Sequence, residues 1–134
     1  MAGFEVIVRD EFAAAHQLRL LDGALEPLHG HNWEVEVELA GPRLDGMEVL
    51  IDFTQVRAQL RAAAARLHDT FLNDLPEFVG RNPSAEQVAV YFRDALRPNL
   101  PPTVHLTRVR VWETRGCAAA WSAAPSATIA ARDS

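Results

Sequence analysis

The sequence predicts an α+β fold, an antiparallel sheet with two helices on one face in the order ββααββ. Three observations predict it. Apolar and polar residues alternate near both ends of the chain. Two capped stretches of helical period occupy its middle, and clusters of Pro and Gly separate these segments.

The first strand begins with Phe4, Val6 and Val8 set against Glu5 and Arg9, with Ile7 as an apolar exception, and it runs on towards Phe12 and His16. From Trp33 the alternation is clean, with Trp33, Val35, Val37 and Leu39 on one face and Glu34, Glu36 and Glu38 on the other. "AGPRLDGM" reads as a turn and "MEVLID" as a returning strand that completes a hairpin. Asp52 with Gln55 forms a capping box, and Val56, Leu60, Ala63, Ala64 and Leu67 set a helix over residues 53–67. Pro76, Gly80 and Pro83 interrupt before a second box, Ser84 with Gln87. Its helix carries Val88, Tyr91, Phe92, Ala95 and Leu96 and stops at Pro98, Pro101 and Pro102. Residues 103–113, "TVHLTRVRVWE", alternate again, and "AAAWSAAPSATIAA" supplies a last strand. The Ala-rich tail after about residue 125 reads as partly disordered.

Length and composition bound the function. A chain of 134 residues, 49% apolar and 23% charged, is expected to form one domain over 1–134. A net charge of −5 argues against nucleic acid as a partner, because phosphate binding needs clustered cations. The chain has no lysine, which excludes Schiff-base chemistry on a side-chain amine. No apolar run reaches the ~20 residues that span a bilayer, and the charged, alternating N-terminus is unlike a signal peptide. With a single cysteine, Cys117, no intramolecular disulfide is possible, which fits a reducing cytoplasm.

Chemistry concentrates in "LEPLHGHNW". Side chains two apart on a strand share a face about 7 Å apart, so His29 and His31 point to the same side as Trp33 and Val35. Two imidazoles so placed can converge on one Zn²⁺, and His16, near the end of the first strand, is the candidate for a third ligand. On spacing alone a set of ordinary hydrogen-bonded histidines remains an equal reading.

"FAAAH", "LHGHNWEVEV", "IDF", "LHDTFLND", "NPSAEQVA" and "WET" follow one another along the chain. In that order they resemble the 6-pyruvoyl-tetrahydropterin synthase / 6-carboxytetrahydropterin synthase family, over nearly the whole chain from Phe4 to Trp121. The resemblance implies the tunnelling fold, a four-stranded antiparallel sheet with two helices between its halves. It also implies trimers that stack into homohexamers, with active sites at subunit boundaries. Carried over by position, it makes His16, His29 and His31 zinc ligands and Glu113 the carboxylate that anchors a pterin ring. A carboxylate suits that task because it accepts two adjacent N–H donors side by side.

Two departures refine the expectation. The family's synthases carry a catalytic cysteine just before the HGH motif, where this chain has Leu25 four residues before His29. Glu26 stands beside it, and E-x-x-H-G-H resembles the subgroup in which glutamate replaces that cysteine. Members of that subgroup cleave 7,8-dihydroneopterin triphosphate to 6-hydroxymethyl-7,8-dihydropterin, a folate precursor. The second departure is "LHDTFLND", where His68 precedes Asp69 although the family order is Asp then His. As a pair they are candidates for proton relay, and His68 can equally be read as capping the helix C-terminus. The sequence thus points to a zinc-dependent lyase with Glu26, His68 and Asp69 as catalytic candidates. Its alternatives are a 6-carboxytetrahydropterin synthase on the queuosine path, a 6-pyruvoyl-tetrahydropterin synthase, or a zinc- and pterin-binding protein with little turnover.

Overall fold

The computed structural model describes residues 3–123. The first two alternating segments become β1, Phe4–His16, and β2, His29–Gly41, paired antiparallel from Phe4 opposite Gly41 to His16 opposite His29. β2 then pairs with β4, His105–Thr114, and β4 with β5, Cys117–Ser122, both antiparallel. A further strand, β3, is only Thr70–Phe71 and lies parallel to β1 at Ala14 and Ala15. The sheet order is β3-β1-β2-β4-β5, so the expected four antiparallel strands gain a short fifth at one edge.

The helices fall where their caps place them. In α1, Phe53–Leu67, the Asp52 carboxylate accepts the Thr54 N–H at 2.8 Å. In α2, Ala85–Leu96, the Ser84 hydroxyl oxygen accepts the Gln87 N–H at 3.1 Å. The reciprocal arm of the second box is not made, because the Gln87 side chain accepts from Arg81 instead. α1 packs on β1, and α2 packs on β4 and β5. Their apolar stripes close over Trp33, Val35, Val37 and Leu39, all fully buried. Among the described residues no helix is long and apolar enough to cross a membrane.

One expected strand does not form. Residues 47–52 are turn and bend, not the second arm of a hairpin with β2. Both edges of β2 are already occupied, by β1 and β4, so no ladder is left for "MEVLID" to join. Instead the Asp45 carboxylate gathers the N–H groups of Met47 and Val49, and Leu50 and Ile51 drop into the core. The outward face of β2 holds another departure from simple alternation. Glu36 is only 4% exposed, held by Arg9 and Arg110 at 2.8 and 2.9 Å. A buried carboxylate without such partners would carry a large desolvation cost. The tail after about residue 125, with the distal part of the last expected strand, lies outside the described residues.

Candidate metal centre and active site

Strand pairing builds the site. His16 ends β1 directly opposite His29, which begins β2, and His31 follows two residues on, on the same face. Glu113 shares the parity of Val109 and Val111, both buried in the core, and so reaches that face from β4. Trp33 forms the floor, its ring edge-on to His16 at 4.8 Å and its indole N–H donating to the Ala14 carbonyl at 3.1 Å.

Ring nitrogens and a carboxylate oxygen converge there. Glu113 Oε1 is 3.0 Å from His16 Nε2, 2.9 Å from His31 Nε2 and 4.0 Å from His29 Nδ1. His29 Nδ1 and His31 Nε2 are 2.6 Å apart. One ligand atom from each of the four residues lies within 4.8 Å of all the others. A tetrahedral ion with ligands at ~2.0–2.1 Å holds them roughly 3.3 Å apart, which is the scale of this cluster.

Proton bookkeeping supports the same reading. His16 is 1% exposed, and its Nδ1 donates to the Pro83 carbonyl at 2.8 Å. A carbonyl only accepts, so Nδ1 carries a proton, and Nε2 is the nitrogen left to face Glu113 and offer a lone pair to a metal. His31 Nε2 lies between His29 Nδ1 at 2.6 Å and Glu113 Oε1 at 2.9 Å. A cation among these groups satisfies all of them at once, and the donor set therefore fits a metal ion.

Burial pulls the His31 pKa below the ordinary histidine value; Glu113 opposes this, while His29 and His16 add to it. Neutral imidazole is the form that binds metal. Because the folded pKa is the lower one, the folded chain binds fewer protons at this ring than the unfolded chain does. The resulting stability is fully present above the unfolded value of about 6.5 and is lost as pH falls below it. Metal-free protein is expected to melt at lower temperature at pH 5.5 than at pH 7.5. His31→Asn should flatten that slope, and an unchanged slope in calorimetry would contradict the assignment.

Glu26 arrives from the loop between β1 and β2. Its Oε1 is 3.2 Å from His29 Nε2 and accepts the Leu18 N–H at 2.9 Å. His68 and Asp69 are placed differently. His68 holds the C-cap position of α1, and its ring Nδ1 accepts the Ala13 N–H of β1 at 3.0 Å. Asp69 adopts a left-handed φ of 58° and sits 3.3 Å from His68 Nε2. Asp69 lines an open groove with Gly30 and His31, but neither residue is hydrogen-bonded or ion-paired to the histidine cluster. Cys117, exposed at the start of β5, makes no part of the site.

Sequence reading missed the polar frame behind Glu26. Gln17, Asn73 and Asn82 all bond to backbone there. Asn73 and Asn82 lie in turn-like segments, where asparagine is ordinarily a turn former.

A family model described as 6-pyruvoyl tetrahydropterin synthase matches residues 5–124 of this chain. The chain belongs to the 6-pyruvoyl tetrahydropterin synthase family. It is similar to the dihydroneopterin monophosphate aldolase of Pyrococcus furiosus, 31% identical over 108 residues, covering 81% of this chain and 88% of that protein. It is also similar to the 6-carboxy-5,6,7,8-tetrahydropterin synthase of Rickettsia typhi, 23% identical over 128 residues, covering 81% and 93%. A solved structure of Plasmodium vivax 6-pyruvoyltetrahydropterin synthase, a variant with a catalytic glutamate replaced by alanine, shares the fold. Its TM-score is 0.77 at 19% identity, covering 90% of this family member and 98% of that chain.

Proposed function

We propose that this chain is a zinc-dependent lyase that cleaves the C1′–C2′ bond of a phosphorylated 7,8-dihydroneopterin, releasing 6-hydroxymethyl-7,8-dihydropterin. The carrying observation is the Glu26 carboxylate 3.2 Å from His29 Nε2, at the edge of a cluster to which the chain's one cysteine does not contribute. His16, His29 and His31 would hold the ion, and zinc bound there supplies Lewis-acid polarisation of the side-chain hydroxyls. The aldolase name of the Pyrococcus relative supports a carbon–carbon cleavage, and the catalytic glutamate of the Plasmodium protein supports a carboxylate in a catalytic role.

In that reaction a base takes the C2′ hydroxyl proton and the C2′ oxygen becomes a carbonyl. The C1′–C2′ bond breaks, and its electron pair flows into the pterin ring. A proton then returns to C1′, leaving the hydroxymethyl pterin and a two-carbon aldehyde that keeps the phosphate. In this reading Glu26 is the group that takes or returns a proton. Glu113 would anchor the pterin through its adjacent N–H groups. His68 and Asp69, not bonded to the cluster within one chain, would act on a site shared between copies. That arrangement fits the proposed homohexamer, and sedimentation should report about six chains. A monomer at micromolar concentration would count against a shared site.

The substrate expected from the sequence is the triphosphate, and the Pyrococcus name brings in the monophosphate. Zinc-loaded protein should therefore be incubated with each and the pterin product identified. 6-Hydroxymethyl-7,8-dihydropterin as main product supports the proposal. 6-Carboxytetrahydropterin would instead place the chain with the Rickettsia relative.

A further inference from the structure

Glu26 belongs to a loop, yet its position is fixed by side chains from a distant part of the sequence. Its carboxylate accepts the Leu18 N–H at 2.9 Å, and its own N–H donates to the Leu18 carbonyl at 3.0 Å. Whatever holds Leu18 therefore holds Glu26.

Leu18 is gripped on both sides. Asn73 accepts the Gln17 N–H at 3.0 Å and donates to the Gln17 carbonyl at 2.8 Å. Asn82 does the same for the next residue but one, accepting the Arg19 N–H at 2.8 Å and donating to its carbonyl at 3.0 Å. Each amide thus occupies both backbone groups of one residue, as a neighbouring strand would. The Gln17 side chain completes the frame by donating to the Glu26 carbonyl at 2.9 Å. An asparagine that only shaped its own turn would bond to its own neighbours. These two reach 56 and 63 residues back to the flanks of Leu18.

We propose that Asn73 and Asn82 are positioning residues for Glu26, extending the β1 edge past His16 and setting the carboxylate against His29. The proposal rests on the reading of Glu26 as the acid–base group. Alanine at either position removes both bonds and frees one side of Leu18. A displacement of about 1 Å is enough to cost up to about 10²-fold in a reaction step.

Amide exchange and kinetics test the link separately. In zinc-loaded Asn73→Ala, the Leu18 amide should exchange about 10-fold faster, with Val35 and Val37 unchanged and the zinc content retained. Asn82→Ala, at an exposed position, gives the same readout if the first variant folds poorly. Unaltered Leu18 exchange in both would overturn the proposal, whatever the protein's substrate. In turnover of phosphorylated dihydroneopterin, kcat should fall about 10- to 100-fold with KM little changed. Combined with Glu26→Gln, the asparagine variants should add no further loss, and additive losses would overturn the proposal. Wild-type protein inert towards every dihydroneopterin phosphate would remove the proposed function, while the exchange result would still decide what holds Leu18.

Discussion

Replacing His29 by alanine is expected to abolish stoichiometric zinc binding while leaving the chain folded. His29 supplies one of three imidazoles in the cluster, and two remaining imidazoles with an open carboxylate form a much weaker site. Its ring is more than a third exposed and adds little to the core, which closes around Trp33, Leu60, Phe92 and their neighbours. Metal analysis after desalting should therefore fall from about one ion per chain to near none, with the circular dichroism spectrum preserved. Full retention of metal would remove the site. Glu113 provides the matching control. If it serves the pterin, Glu113→Ala keeps the ion and loses pterin affinity; if it closes the coordination sphere, the ion is weakened too. The distances of 2.9 and 3.0 Å to His31 and His16 make that control necessary, because they are as short as the contacts of a bound ligand set.

Most of the fold was legible because its signals are local. Strand alternation, helix period and cap residues each act within a few positions, and they placed α1 over residues 53–67. "MEVLID" failed for a non-local reason. Its pattern suits a strand, but pairing with β2 was pre-empted by β4, some 60 residues later in the chain. β3 was invisible for a related reason, since two residues carry no periodicity and pair only because β1 has a free edge there.

The site divides along the same line. His29 and His31 were readable from parity, and His16 from its place at a strand end. That Glu113 would meet the ring nitrogens depends on register across β4, which one sequence does not reveal. The frame of Asn73 and Asn82 depends on contacts across more than fifty residues. For His68 the sequence left two roles open. The structure gives its backbone the C-cap position and its ring the unpaired N–H of Ala13 on the edge of β1.

Glu26→Gln is expected to keep zinc and pterin binding yet lose roughly 10²–10⁴-fold in kcat, the usual worth of general acid–base catalysis. The amide preserves the shape of the side chain, and its oxygen can still accept the Leu18 N–H that fixes the carboxylate at 2.9 Å. It cannot exchange a proton near neutral pH, so an effect on the chemical step appears in kcat and kcat/KM alike. The bond to His29 Nε2 supports a competing role, that of orienting the imidazole as a carboxylate behind a metal ligand. Loss of an orienting group typically weakens metal affinity about 10- to 100-fold. The two roles therefore separate on the metal, not on the rate. Slow turnover at full zinc occupancy supports proton transfer, whereas slow turnover restored by excess zinc supports orientation alone. Activity near that of the wild type would remove Glu26 from the chemistry altogether. The cleavage would then need another proton donor, and among the described residues Glu113 is the carboxylate that lies within the histidine cluster.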